Sequence, residues 1–357
     1  MENLSERDQK IVSFLKGLMS TEHGREILSR TAEDGGLRVL RQVEHTPFPV
    51  VTDPVRLAFS KEAVITDTET TGLVPTKDGV TQLSMLKIVF DDQGIISVGD
   101  FFDKYRDPGM PISEEAGRVT GITQEMVEGK VIEDSEILEF LGNIRTVICH
   151  NAGFDRKFLE HDFPNVGFDK MDFHCSFAQV VWNKRGNNGR SLEVLALNQG
   201  FVFGAHDAFN DVSATAFVLN GKDEDGQTAF AEMYSAGSRP VMMIIAERSP
   251  FETKDALKEG GYSWSVDGVE TGGSKSWYKV IDTTVESQAV EADLMRKVFG
   301  RDVSLPGFLI GADERYSSRK PKTPHIFRTN VVRDMLTSKV EAEAVVVREP
   351  QQDLFMR

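Results

Sequence analysis

The stretch Ile65-Thr66-Asp67-Thr68-Glu69-Thr70-Thr71-Gly72 carries the first decision about this chain. Residues Ala63 to Thr66 form a short, β-branched, apolar run that reads as a buried strand. Two carboxylates follow, two positions apart. Strand periodicity puts i and i+2 on one face, so Asp67 and Glu69 point the same way from the strand's end. Carboxylates that converge like this suit a hard cation with a preference for oxygen ligands. An exposed acidic turn is the other reading of these eight residues.

Working outward, strand-like and helix-like patterns alternate from residue 61 to about 222. Leu83 to Phe90 and Ile95 to Phe102 read as strands, joined by a turn at Asp91-Asp92-Gln93-Gly94. Ser135 to Ile144 reads as a helix and Thr146 to Cys149 as another short strand. Helices are predicted at Phe154 to Asp162, Phe173 to Trp182, Ser191 to Gln199 and Asp207 to Leu219. A meander of three strands followed by helix–strand alternation predicts an α/β fold, a mixed sheet with helices on its faces. Residues 1–60 read as a helical N-terminal extension, with an amphipathic helix after Ser5, a second one over Gly24 to Val43, and a loop marked by Pro47, Pro49 and Pro54.

A polar break at residues 221–226 precedes a smaller α/β module, placed at 238–316. Its expected strands are Val241 to Ala246, Tyr262 to Val266 and Ser276 to Ile281, and its expected helices are Thr253 to Glu259 and Ser287 to Phe299. Beyond Gly300 the chain reads as polar and irregular, and residues 317–357 as a basic and then frayed tail.

A net charge of −15 over 357 residues argues against a protein that coats nucleic acid non-specifically, which would carry a basic excess. An enzyme that handles one strand end needs only a local positive patch. Cys149 and Cys175 are the two cysteines, with no CxxC pair to hold zinc, and they read as reduced thiols in or near a core. The first twenty residues lack an apolar targeting core, and no apolar run of spanning length follows. No membrane partner is expected, and the expected location is cytoplasmic.

Two further motifs join the first. In His150-Asn151-Ala152-Gly153-Phe154-Asp155, a short strand runs into a helix with Asp155 in its first turn, where ligands gather in α/β sheets. In His206-Asp207-Ala208-Phe209-Asn210-Asp211, Asp207 reads as the helix N-cap and Asp211 opens a helix of small residues that can pack closely on a sheet. The set Asp67-x-Glu69, Asp155 and His206-x4-Asp211 resembles the DEDD exonuclease superfamily, in the branch with a histidine before the last aspartate (DEDDh, epsilon-subunit-like). Val119-Thr120-Gly121-Ile122-Thr123 and Ser191-Leu192-Glu193-Val194-Leu195 agree with it, although Val119-Thr120 departs from the histidine that relatives often carry there.

The resemblance implies a ribonuclease H-like sheet and metal-dependent 3′→5′ exonuclease activity through two Mg²⁺ or Mn²⁺ ions held by Asp67, Glu69, Asp155 and Asp211. In family terms Asp67 bridges the ions, Glu69 and Asp211 complete the first ion's shell, and Asp155 reaches the second. His206 would take the proton of the attacking water. Thr70, Thr71 and Gly72 would meet the terminal nucleotide, with Leu73 wedged at its base; Asn151 and Phe154 would either neighbour the substrate or pack the site. The implied partner is a nucleic acid with a free 3′ end, with DNA preferred, and a replication or repair protein is a further candidate. RNA trimming and an inactive, exonuclease-like binding module are the alternatives.

In the module, Tyr262, Trp264, Trp277 and Tyr278 lie among Lys254, Lys258, Lys275 and Lys279, and residues 316–332 contain Arg319, Lys320, Lys322 and Arg328. The aromatic groups read either as a stacking platform for unpaired bases or as the module's own core. The module resembles small units appended to some bacterial exonucleases and, more distantly, the strand-annealing HARP module.

Overall fold

The computed structural model describes residues 6–332, with 37, 267 and 270 left out. The part of the expected tail beyond 332 lies outside the described residues. Helices α1 (Glu6–Met19) and α2 (Glu22–Asp34) pair with each other, and the second is shorter than the expected Gly24 to Val43. The chain from residue 38 onward is built into the body instead. Strand β1 (Arg41–Gln42) pairs in parallel with a later strand at Phe201–Val202, Val43 enters the core, and Phe48 packs edge-on to Phe217. Helix α3 (Pro54–Ala58) is capped by Asp53, and its Arg56 pairs with Asp91 in the next hairpin.

Strands β2 (Lys61–Thr70), β3 (Val80–Asp91) and β4 (Gly94–Tyr105) form the meander. After α4 (Glu114–Thr120), α5 (Gln124–Val127) and α6 (Asp134–Leu141) come β5 (Thr146–Cys149), α7 (Ala152–Asp162) and β6 (Asp172–Cys175). The sheet order is β4-β3-β2-β5-β6, with β3 antiparallel to its neighbours and β5 and β6 parallel to β2. This is the expected ribonuclease H-like mixed sheet. One face packs on α6 and α7 through Ile137, Leu141, Phe158 and Leu159. The other is covered by α9 (Leu192–Asn198), which follows the short α8 (Ser176–Gln179), then by α10 (Ala208–Asn220), which follows β7 (Phe201–Val202), and by α11 (Ala229–Ser238).

Two expectations fail here. Phe173 to Trp182 is not a helix: Asp172–Cys175 is the parallel edge strand, and only Ser176–Gln179 turns helically. A four-residue strand buried on both faces shows no alternation, so its apolar spacing passes for a helix. The break at 221–226 also does not end the first unit, because α11 returns Ala229, Phe230 and Met233 to the first core.

The second sheet is entirely antiparallel, in the order β12-β11-β8-β10-β9, from β8 (Val241–Ala246), β9 (Ser263–Trp264), β10 (Trp277–Asp282), β11 (Ser304–Ile310) and β12 (Thr323–Arg328). With α12 (Lys254–Glu259) and α13 (Val285–Phe299) it makes a split β-α-β module with β12 as an added edge. Gly307 lets β11 lie against β8: a Cβ there would stand 2.0 Å from the Met243 carbonyl oxygen. The irregular stretch expected beyond Gly300 therefore holds two strands. Its exposed edge residues, with Pro324 among them, hide the alternation that would have marked β12.

The four module aromatics do not share one face. Tyr262 is buried with its hydroxyl on Glu291; Trp277 packs with the helix-side core and Tyr278 with the cluster on the opposite face; Trp264 is 48% exposed, edge-on to Trp277. Arg319 of the basic stretch is engaged with Glu160 of α7.

His174 of β6 is buried, stacked on Tyr234 of α11, and fitted against Gly237, where a Cβ would come within 2.0 Å of Nδ1. Burial, with Arg315 nearby, pushes its pKa down to about 4. Unfolded, it takes a proton near pH 6.5, so the folded state loses stability as pH falls from there toward 4. Replacing it by phenylalanine removes this linkage. Between pH 7 and pH 5 the wild type should lose on the order of 2 kcal/mol more stability than His174→Phe, read from urea unfolding at the two pH values.

Candidate active site

The site forms where β2 leaves the sheet. Asp67 pairs with Ser84 and Glu69 with Gln82 on β3, and the register shifts at Glu69/Thr70. The bulge turns the strand end, and the period of two keeps both carboxylates on the face that carries α10. Beside β2, β5 runs parallel with Val64 opposite Val147 and Ile65 opposite Ile148, so the start of α7 emerges next to Asp67. Helix α10 reaches the same spot because Ala214 and Ala216, small residues in the core, let it lie close to β2, with Ala208 fully buried at its start.

Ligand oxygens of Asp67, Glu69 and Asp211 all lie within 4.8 Å of one another. Asp155 is 2% exposed and anchored beside them, its Oδ1 accepting from the Thr68 backbone N–H at 3.1 Å and hydroxyl at 2.9 Å. The four carboxylates named from the sequence are thus brought to one place.

These groups raise one another's pKa. Desolvation, then the charges of Asp155, Asp211 and Glu69, pushes Asp67 well above the ordinary carboxylate range. Glu69 is pushed up to about 7 by desolvation, then by Asp155 and Asp207. Asp211 rises to about 8 through desolvation and Glu69, against the His206 N–H it accepts at 3.1 Å. Asp155 rises to about 7 through desolvation, against its Thr68 hydrogen bonds. Carboxylates this crowded and desolvated fit a cation as their neutralising partner.

His206 does not face the cluster. Its backbone is left-handed (φ 64°), its side chain is 56% exposed, and Nε2 lies 3.7 Å from Glu193. Asp207 is the N-cap of α10, as read from the sequence. The hydroxyls of Thr70 and Thr71 are engaged inside their own loop: Thr70 donates to the Gly72 carbonyl, while Thr71 takes the Gly79 N–H and donates to Asp78. A Cβ at Gly72 would meet Asp78 Oδ1 at 2.4 Å, so a larger residue there would have to displace the carboxylate that bonds Thr71 and Val74. Leu73 stands out 81% exposed. Asn151 holds the N-terminus of α7 through its carbonyl, and Phe154 packs on Phe158. His150 has both ring nitrogens engaged, by Ser176 and the Arg190 carbonyl. Both cysteines are buried free thiols.

Three residues went unseen in the sequence. Gln82 ties the N-terminus of α10 to the sheet, with Oε1 accepting the Ala208 N–H and Nε2 donating to Asp103. Thr68 holds Asp155. Asp103 accepts from Gln82 and Ser84 at the edge of the cluster. Gln82 could have been found by carrying the register of Glu69 across to β3.

Residues 64–219 match the family model described as Exonuclease (RNase_T). They are an exonuclease-family domain. The DEDD exonucleases generally depend on divalent metal, which agrees with the donor set here. Similar curated proteins are PolC-type DNA polymerase III chains. That of Thermotoga maritima is 39% identical over 163 residues, covering 44% of this chain and 11% of the relative. That of Lacticaseibacillus paracasei is 29% identical over 216 residues, covering 57% of this chain and 14% of the relative. The chain thus matches only a small part of those relatives' length. Similar solved structures include exonuclease X in complex with 5′ overhanging duplex DNA (TM-score 0.37, 20% identity, 49% of this chain and 99% of that one). E. coli exonuclease I in complex with a dA16 oligonucleotide is another (TM-score 0.40, 15% identity, 62% of this chain and 63% of that one). Among the described residues, no helix is long and apolar enough to cross a membrane.

Crowding sets up an exchange between stability and metal binding. In chelator, Asp67→Asn should unfold at a higher temperature than wild type, because the amide neither places a charge in this desolvated cluster nor has to take up a proton on folding. With Mn²⁺ at about 100 times its dissociation constant the wild type should gain about 2.7 kcal/mol, and the variant little of it. Thermal melts with and without Mn²⁺ read both effects.

Proposed function

We propose that this chain is a divalent-metal-dependent 3′→5′ exonuclease that hydrolyses the terminal phosphodiester of a nucleic acid, with DNA as its substrate. The observation that carries this is the convergence of Asp67, Glu69 and Asp211 within 4.8 Å, with Asp155 locked beside them by Thr68. Its preference for DNA rests on the polymerase relatives, whose name also makes a replication or repair protein the natural partner.

When bound, two Mg²⁺ or Mn²⁺ ions would neutralise the phosphate and activate the attacking water. Asp67, central in the cluster, would serve both ions; Glu69 and Asp211 would hold one and Asp155 the other. The chain supplies the remaining groups. His206 would accept the water's proton after its loop swings the ring from Glu193 toward the cluster, a motion its exposure permits. Leu73, exposed at the rim, would wedge against the terminal base. The backbone of residues 70–72 would line the approach, while the Thr70 and Thr71 hydroxyls keep that loop in shape.

Degradation of 3′-labelled and 5′-labelled single-stranded DNA, duplex DNA and RNA tests the reading. The 3′ label should be released first as mononucleotide, activity should vanish in chelator and return with Mg²⁺ or Mn²⁺, and Asp211→Asn should be inactive. His206→Ala should lower turnover by roughly 10²–10⁴-fold while Mn²⁺ binding survives. Faster loss of RNA than of DNA would move the chain to RNA trimming. Binding without hydrolysis under every metal condition would leave a binding module.

A further inference from the structure

Arg156, the residue after Asp155, is 0% exposed although it carries a full charge. Its guanidinium is not turned to the substrate side. Nε donates to Glu160 at 2.7 Å, and the two Nη groups donate to the carbonyls of Ala312, Asp313 and Arg315 at 2.5–3.2 Å. The ring of Phe173 lies 4.3 Å beneath it. The three carbonyls belong to the segment that links β11 to β12 in the C-terminal module, some 150 residues further along the chain.

That segment, residues 312–319, is bound to the exonuclease domain along its length. The Ala312 carbonyl accepts the Phe173 N–H at 3.0 Å, extending the sheet beyond β6. Tyr316 packs into the core under α7, against a cluster that includes Phe158 and Cys175. Ser317 and Arg319 close on Glu160, which thereby receives both guanidinium groups. Although burial pushes the Glu160 carboxyl up, the bonds from Arg319, Arg156 and Ser317 hold it below its ordinary range. Without the segment, the Arg156 guanidinium would lose three of its acceptors and the cover that holds it in one place.

The first turn of α7 is therefore clamped from two sides. Thr68 of β2 holds Asp155, and the strap holds the next residue. We propose that the C-terminal module completes the exonuclease site through this strap, with Arg156 as a positioning residue that fixes the Asp155 carboxylate for metal binding. This rests on the exonuclease reading above. A functional carboxylate has to be held within about 0.5 Å of its working place, and one residue of helix separates the clamp from it.

The test uses full-length variants at a temperature well below unfolding. Arg156→Met removes the donors from α7, and Arg319→Met loosens the strap by removing its own bonds to Glu160 while leaving every side chain of α7 in place. Mn²⁺ affinity by calorimetry is measured alongside kcat and KM on single-stranded DNA. Arg156→Met should lose about 10–100-fold in Mn²⁺ affinity and in kcat, with the KM for DNA unchanged, the size expected of a group that orients a ligand. Arg319→Met should move the same quantities in the same direction by a smaller factor, and it decides the matter alone if Arg156→Met does not fold. A lower melting temperature with Mn²⁺ affinity and kcat within twofold of wild type would make the strap a stabiliser only and overturn the proposal. Asp211→Asn separates the two failures: if it remains fully active, the exonuclease reading itself is at fault, whatever the strap variants do.

Discussion

Mutual repulsion among crowded, desolvated carboxylates is the constraint that organises this molecule. Asp67, Glu69, Asp155 and Asp211 come from three separate segments and meet in a space where desolvation already opposes their charge. No such cluster assembles for its own stability. It persists because the elements that carry it are held by unrelated forces: the β2–β3 ladder, the parallel β2–β5 pairing, and the close seat of α10 on the sheet. The packing energy of a ribonuclease H-like core is thus used to hold a strained electrostatic arrangement, the usual relation between a stable scaffold and a working site.

Neutral polar residues do the fixing. Thr68 points away from its acidic neighbours and uses backbone and hydroxyl together to grip Asp155. Gln82 stands opposite Glu69 and ties β3 to the start of α10. The His206 N–H, presented by a left-handed turn, steadies Asp211 while the imidazole lies toward Glu193. Each contact is a modest hydrogen bond, but each is placed where a small shift would change the distance between charges.

The acidic cluster was legible through the joint pattern of three short motifs and the family they resemble, since two acids at a strand end, an acid in a helix's first turn and an acid four residues beyond an N-cap are each ordinary when taken alone. Strands Thr146–Cys149 and Val241–Ala246 were legible to the residue, being short apolar runs bounded by clear breaks. What escaped was non-local. Gln82 and Thr68 are ordinary residues until register sets them beside an acid. The strand Asp172–Cys175 looks helical because it is buried on both faces. The engagement of Arg156 joins parts of the chain about 150 residues apart, and no periodicity records it. The aromatic cluster of the module was misleading for a related reason, since adjacent residues such as Trp277 and Tyr278 must point to opposite faces of a strand.

The most direct test of the central claim is anomalous diffraction from crystals soaked in Mn²⁺. A peak coordinated by Asp67, Glu69 and Asp211, with a second ion shared between Asp67 and Asp155, is the expected result. Crystals saturated with Mn²⁺ that show no peak among these carboxylates, or that hold the ion only elsewhere on the acidic surface, would contradict the account.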